Sequence, residues 1–126
     1  MAKIVFLGTS AAVASEKRDN TAFLIQNKNE FILIDCPGCI VNKLAKIKVD
    51  FRKIYRIFFT HEHPDHIYGI ISLIHSQYCL KNKLHIYGST VVIKLIRSLI
   101  KLFSLTDTKL YPHLIFHILK EKTKCI

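Results

Sequence analysis

Residues 54–60, Ile-Tyr-Arg-Ile-Phe-Phe-Thr, run without a spacer into His61-Glu62-His63-Pro64-Asp65-His66. The first segment is β-branched and aromatic, the composition of a buried strand. The second gathers three imidazoles and two carboxylates in six residues. His61 and His63 are two apart, so in an extended segment both rings point to one side. Pro64 holds a turn and cannot continue a strand ladder. Asp65 and His66 are then expected to open a helix that reverses over the same pocket. Imidazole nitrogen and carboxylate oxygen suit zinc, and also manganese or iron. Two such ions about 3.5–4 Å apart can hold a bridging hydroxide and clamp a phosphate. His61, His63, Asp65 and His66 are therefore the candidate metal ligands, with Asp65 also the candidate catalytic group that handles the proton of the attacking water. The plainer alternative is a polar loop whose histidines bond backbone groups.

The rest of the chain alternates strand-like and helix-like segments. Residues 2–7 read as a buried strand ended by Gly8-Thr9-Ser10, and residues 15–20 as an exposed loop. Residues 21–26 and 30–35 flank Asn27-Lys28-Asn29, a hairpin signal. A short helix is expected over 40–49, a longer one over 67–80, a strand over 84–87, and a helix over 91–103 capped by Ser89. On that last helix Lys94, Arg97 and Lys101 share a face. This predicts a surface helix with its apolar stripe in the core, or a helix lying on a membrane surface. A final strand is expected over 113–119, with residues 120–126 frayed. The pattern is α/β, one domain or part of one.

Composition narrows the class. Half of the 126 residues are hydrophobic and 22% are charged, which excludes disorder. No apolar run approaches the ~18 residues of a membrane span. The net charge of +10 is uneven: residues 1–65 hold 10 basic and 7 acidic side chains, residues 66–126 hold 9 and 2. Such a field attracts polyanions, or reflects only a lysine-rich surface. The four-residue apolar run 4–7 is too short for a signal peptide. Cys36, Cys39, Cys79 and Cys125 are thus expected as reduced thiols in a cytoplasmic protein. Gly8-Thr9-Ser10 lacks the residues of a phosphate-binding loop.

The segment from His61 to His66 matches the His-x-His-x-Asp-His motif, and on it the chain resembles the metallo-β-lactamase superfamily of metallohydrolases. Phe6-Leu7-Gly8-Thr9-Ser10-Ala11-Ala12 resembles the first strand and glycine turn of its ribonuclease Z (tRNA 3′-processing) branch. Arg18, Asn20 and Thr21 resemble the loop that follows there, Ile32-Leu33-Ile34-Asp35-Cys36 the strand whose aspartate supports the metal loop, and Leu84-His85-Ile86-Tyr87-Gly88 a later strand. The resemblance implies the N-terminal half of an αββα sandwich over residues 1–126. It also implies two zinc ions in the complete site, with His61 and His63 on the first and Asp65 and His66 on the second. Asp35 would hold the histidine loop; read without the resemblance, it is equally a turn or cap aspartate. Ser10 and Asn20 would approach the substrate phosphate, or serve a turn.

Further ligands are expected downstream in that superfamily. After the motif only His75, His85, His113 and His117 remain, with Asp107 and Glu121 as acids. His75 and His85 read as structural, and His113 and His117 face one side of a strand. The expected function is zinc-dependent phosphodiester hydrolysis, with RNA the favoured substrate and a homodimer compatible with the sequence. The alternatives are a small-molecule phosphodiesterase or thioester hydrolase of the same superfamily, a half-domain that binds metal or RNA without turnover, and a thiol redox protein using Cys36-Pro37-Gly38-Cys39.

Overall fold

The apolar runs form the strands β1 (Lys3–Gly8), β2 (Ala22–Asn27), β3 (Glu30–Ile34), β4 (Ile54–Phe58), β5 (Lys83–Gly88) and β6 (His113–Ile118). They do so in the computed structural model, which describes residues 1–120. One sheet holds all six in chain order. β1, β2 and β3 pair antiparallel, and the hairpin turns at Lys28, whose φ is 52°. From β3 onward the pairing is parallel. Parallel neighbours need crossovers, and helices supply them: α1 (Ile40–Lys46) before β4, α2 (Pro64–Ile67) and α3 (Gly69–Ser76) before β5, and α4 (Thr90–Leu102) before β6.

The strand period of two gives the sheet two unlike faces. Val5, Leu24, Leu33, Ile57, Ile86 and Phe116 are successive cross-strand partners and line the helical side. Ile40, Leu44, Ile70, Leu73, Ile74, Val92, Ile93, Ile96 and Ile100 of the helices close the core over them. As expected, α4 buries its apolar stripe, and Ser89 caps it by accepting from the Val92 amide at 3.3 Å. On the other side, Phe6, Phe23, Ile34, Phe58, Tyr87 and His117 form one cross-strand row. Ile4, Ile25, Ile32, Arg56, His85 and Ile115 form the next. No residue of either row is fully buried.

Most boundaries fall within two residues of the sequence expectation, and three differences are larger. The helix foreseen over 67–80 is two helices, because the Gly69 amide donates to the Cys36 carbonyl at 2.7 Å. A side chain at Gly69 would put its Cβ 2.0 Å from the Pro37 carbonyl oxygen, so this close approach requires glycine. α3 also stops at Ser76, and Cys79 takes φ 62°. α1 ends at Lys46, with Lys48 at φ 58° turning the chain towards a 3-10 turn at Phe51–Lys53. Of the expected frayed tail, residues 121–126 lie outside the described residues. Among the described residues no helix is long and apolar enough to cross a membrane.

Candidate active site

Two chain segments leave the same end of the sheet side by side. β4 runs out through Phe59 and Thr60 into the histidines, and β3 runs out through Asp35 and Cys36. They remain stitched: the Asp35 amide donates to the Phe58 carbonyl at 2.8 Å, and the Cys36 amide to the His66 carbonyl at 2.8 Å. Asp35 takes φ 59°, a conformation aspartate tolerates better than most residues. That turn drives its carboxylate inward, where it is 2% exposed. There it accepts from the Thr60 amide (2.8 Å), the Thr60 hydroxyl (2.8 Å) and His66 Nδ1 (2.7 Å).

This network assigns the imidazole tautomers. The Thr60 hydroxyl donates to Asp35, so it accepts at 3.0 Å from His61 Nδ1. Asp35 Oδ2 already accepts from the Thr60 hydroxyl, and His66 Nδ1 donates to the same oxygen. In the neutral form of either ring the lone pair is then at Nε2. His63 is the N-cap of α2, its backbone extended at ψ 145°, and the helix opens at Pro64, one residue before the expected start at Asp65. The His61 ring centroid is 4.0 Å from that of His66 and 4.6 Å from that of His63. His66 Nε2 lies 3.3 Å from Asp65 Oδ2. The four candidate ligands are thus gathered, with the inner nitrogens of His61 and His66 tied by the support that metal-binding histidines use. The outer nitrogen of His66 contacts Asp65, however, and among the described residues no group of three or more such side chains is arranged to hold an ion.

The other candidates are placed differently. Ser10 Oγ donates to the Val13 carbonyl, and Asn20 Nδ2 to the carbonyls of Ala11 (2.8 Å) and Ala12 (3.2 Å). Both side chains therefore close their own loop, the turn role. His75 Nδ1 is 3.4 Å from the Tyr111 hydroxyl on the helical side. His85 Nδ1 is 2.9 Å from His117 Nε2 on the open sheet face. Burial, the neighbouring His117 and the cations Arg56 and Lys83 push the His85 pKa down.

The thiol redox alternative is corrected. Cys36 is fully buried, and burial, reinforced by the adjacent Asp35 charge, pushes its thiol well up instead of down. A reactive thiolate needs the reverse. Sequence reasoning passed over Thr60, whose amide and hydroxyl connect Asp35 to the loop. Its position between a strand and the first histidine was the available signal.

The profile of a family described as anti-Pycsar protein Apyc1 matches residues 2–110. Ribonuclease Z of Methanocaldococcus jannaschii is 35% identical over 102 residues, 79% of this chain and 32% of the relative. Human tRNase Z, short form, is 30% identical and superimposes with a TM-score of 0.80 over 98% of this chain and 47% of its own. The metallo-β-lactamase fold protein YhfI from Bacillus subtilis, 21% identical, shares the fold with a TM-score of 0.76 over 94% of this chain and 47% of its own. The chain therefore spans about a third of that curated relative and about half of those solved structures. The chain shares the metallo-β-lactamase fold and resembles part of the ribonuclease Z relatives, and it belongs to the family described as anti-Pycsar protein Apyc1.

Proposed function

We propose that the chain supplies the histidine-loop half of a divalent-metal-dependent phosphodiesterase site, with RNA cleaved as in tRNA 3′ processing, in the cytoplasm. One observation carries the reading: His61 and His66 each have Nδ1 engaged by an inward partner, and His66 Nε2 lies beside Asp65 at 3.3 Å. The donor set fits zinc, with manganese or iron as alternatives. His61 and His63 would hold one ion, and Asp65 with His66 a second. Ions bound there supply Lewis acidity and bring the pKa of a coordinated water to about 7.

The chain's own groups do the remainder. Asp35 and Thr60 hold the rings of His61 and His66 by their Nδ1 atoms, which restrains these two imidazoles. Asp65, between His66 and the loop mouth, can take the proton of the attacking water. The +10 net charge attracts a polyanion to the chain as a whole. The whole-length relatives are likenesses of about half or less of their chains, so we expect weak turnover by the 126 residues alone. The chain is purified, its metal content is measured, and cleavage of a tRNA precursor is followed with and without chelator. Retained metal with slow, chelator-sensitive cleavage supports the reading. Failure to retain any divalent ion refutes it. Salt-sensitive RNA binding without cleavage would instead favour a binding half-domain, and cleavage restricted to a small diester would favour the small-molecule phosphodiesterase.

A further inference from the structure

The crossovers that lead into the parallel neighbours β4 and β5 end side by side, at the end of the sheet opposite the histidine loop. Between them is a shallow cleft of about 450 Å³, lined by Asp50, Arg52, Lys53 and Tyr55 on one side and by Lys81 and Asn82 on the other. The residue steps from Ile54 to Thr60, at ~3.3 Å each, put it about 20 Å from His61. Its walls are these crossovers, which come from the helical layer, and not the helix-free face of the sheet. We propose that this cleft binds a nucleotide unit of single-stranded RNA, with a base against the Tyr55 ring and phosphate on Lys53 and Lys81.

Four observations favour that ligand. First, the cleft carries uncommitted positive charge. Asp50, the acid among its lining residues, is already held by Arg52 through Nε at 2.9 Å and Nη2 at 2.8 Å. Among the described residues neither Lys53 nor Lys81 has a carboxylate partner. Lysines left over in this way make the sequence-independent contacts to a phosphate backbone. Second, Tyr55 presents its aromatic side chain there, 43% exposed. A ring so placed is a platform on which any base can stack.

Third, both polar atoms of the Asn82 side chain are shielded from water and have no hydrogen-bond partner among the described residues. An amide left in that state calls for an explanation. Rotation of this side chain towards the cleft it lines lets its donor and acceptor meet a base edge, adenine above all, which sets an acceptor beside a donor. Fourth, the walls are fixed before a ligand arrives. The buried Gln77 amide donates to the carbonyls of Phe51 (3.0 Å) and Ile54 (3.4 Å), which holds one wall. The Cys79 amide donates to the Leu110 carbonyl at 2.7 Å and the His113 amide to the Asn82 carbonyl at 3.0 Å, which holds the other. A preformed cleft surrenders little freedom on binding. It shares no residue with the histidine loop, so the inference stands whether or not that loop holds metal or cleaves RNA.

Binding of a fluorescein-labelled adenine hexanucleotide to the purified 126-residue chain is followed by fluorescence polarisation in excess chelator, at low and high salt. The expected result is saturable binding that weakens as salt rises. Tyr55→Ala, which removes no charge, raises the dissociation constant at least about fivefold. Lys81→Glu raises it further and lowers the salt slope by about one phosphate contact. Lys94→Glu, the same charge change on the exposed side of α4, leaves the affinity within about twofold. Asn82→Ala narrows the preference for adenine over uracil hexanucleotides, which a purely structural asparagine would not do. Inorganic phosphate and AMP compete far less well than the unlabelled hexanucleotide. Absence of binding up to about 1 mM RNA at low salt overturns the proposal. So does an affinity unchanged in Tyr55→Ala and lowered equally by Lys81→Glu and Lys94→Glu, the outcome of attraction by the +10 net charge alone. Competition by inorganic phosphate as strong as by RNA overturns it in favour of a plain anion site, and competition by AMP that strong overturns a strand as the ligand. Because Lys81 is exposed, its variant keeps the test decisive even if Tyr55→Ala does not fold.

Discussion

Exchanging Asp35 for Asn changes one atom from acceptor to donor in the group that supports the histidine loop. The carboxylate is 2% exposed and accepts three hydrogen bonds of 2.7–2.8 Å. Asparagine tolerates the left-handed backbone at φ 59°, and its carbonyl can still accept from the Thr60 amide. Its NH₂, however, then faces the Thr60 hydroxyl and His66 Nδ1. Two of three charge-assisted bonds, each worth about 1.5–3 kcal/mol, are lost or weakened. Reorientation of the Thr60 hydroxyl recovers part of this, so we expect a loss of stability of about 2–4 kcal/mol. The chemical consequence is larger than the structural one. His66 must present Nδ1 as an acceptor to the new amide, which moves its proton to Nε2, the atom that faces Asp65 at 3.3 Å. Affinity for zinc should then fall about 10–100-fold, the usual effect of removing such support. Urea unfolding measures the first quantity, and competition titration against a zinc chelator measures the second. Zinc affinity within about twofold of the parent chain, in a folded Asp35→Asn variant, would refute the tautomer argument.

Four further outcomes are expected. Gly69→Ala forces a Cβ to within 2.0 Å of the Pro37 carbonyl oxygen, so the α2–α3 junction must open and stability should drop by at least about 2 kcal/mol in urea unfolding. Ile57→Ala, fully buried beneath the helices, should cost about 2–5 kcal/mol in the same assay. Burial and cationic neighbours lower the His85 pKa, so the folded chain holds this proton less well than the unfolded chain does. The stability that neutral His85 contributes is present above its unfolded pKa of about 6.5 and is lost as pH falls through the lower folded value; His85→Gln should flatten that part of a stability-against-pH curve. In native protein, iodoacetamide should label exposed Cys39 and Cys79 and spare buried Cys36, whose thiol is pushed up, as peptide mass mapping would read.

Strand and helix identities were largely legible because the apolar periods were clean. Residues 54–60 could be nothing but a strand entering a polar loop, and Ser89 announced α4. The ribonuclease Z likeness was legible in the histidine spacing, and the Methanocaldococcus jannaschii relative and the human tRNase Z superposition agree with it, whereas the family description of the matching profile was not foreseen. What escaped was long-range. The break at Gly69 exists because the chain at Cys36–Pro37 crosses there, and nothing within residues 67–80 records that neighbour. Thr60 gains its role from an aspartate 25 positions earlier. His85 reads as an ordinary strand residue until the register sets it beside β6, where His117 meets its ring.

The strap between the ends of β3 and β4 has a consequence for cation affinity. Asp35, Cys36 and Gly69 tie the histidine loop by backbone bonds to the Phe58, His66 and Cys36 carbonyls, so the loop is ordered when the two parallel strands zip together. A cation arriving later meets rings whose freedom has already been surrendered. Substitutions near the bottom of those strands, remote from any donor atom, should therefore weaken its capture by loosening the zipper.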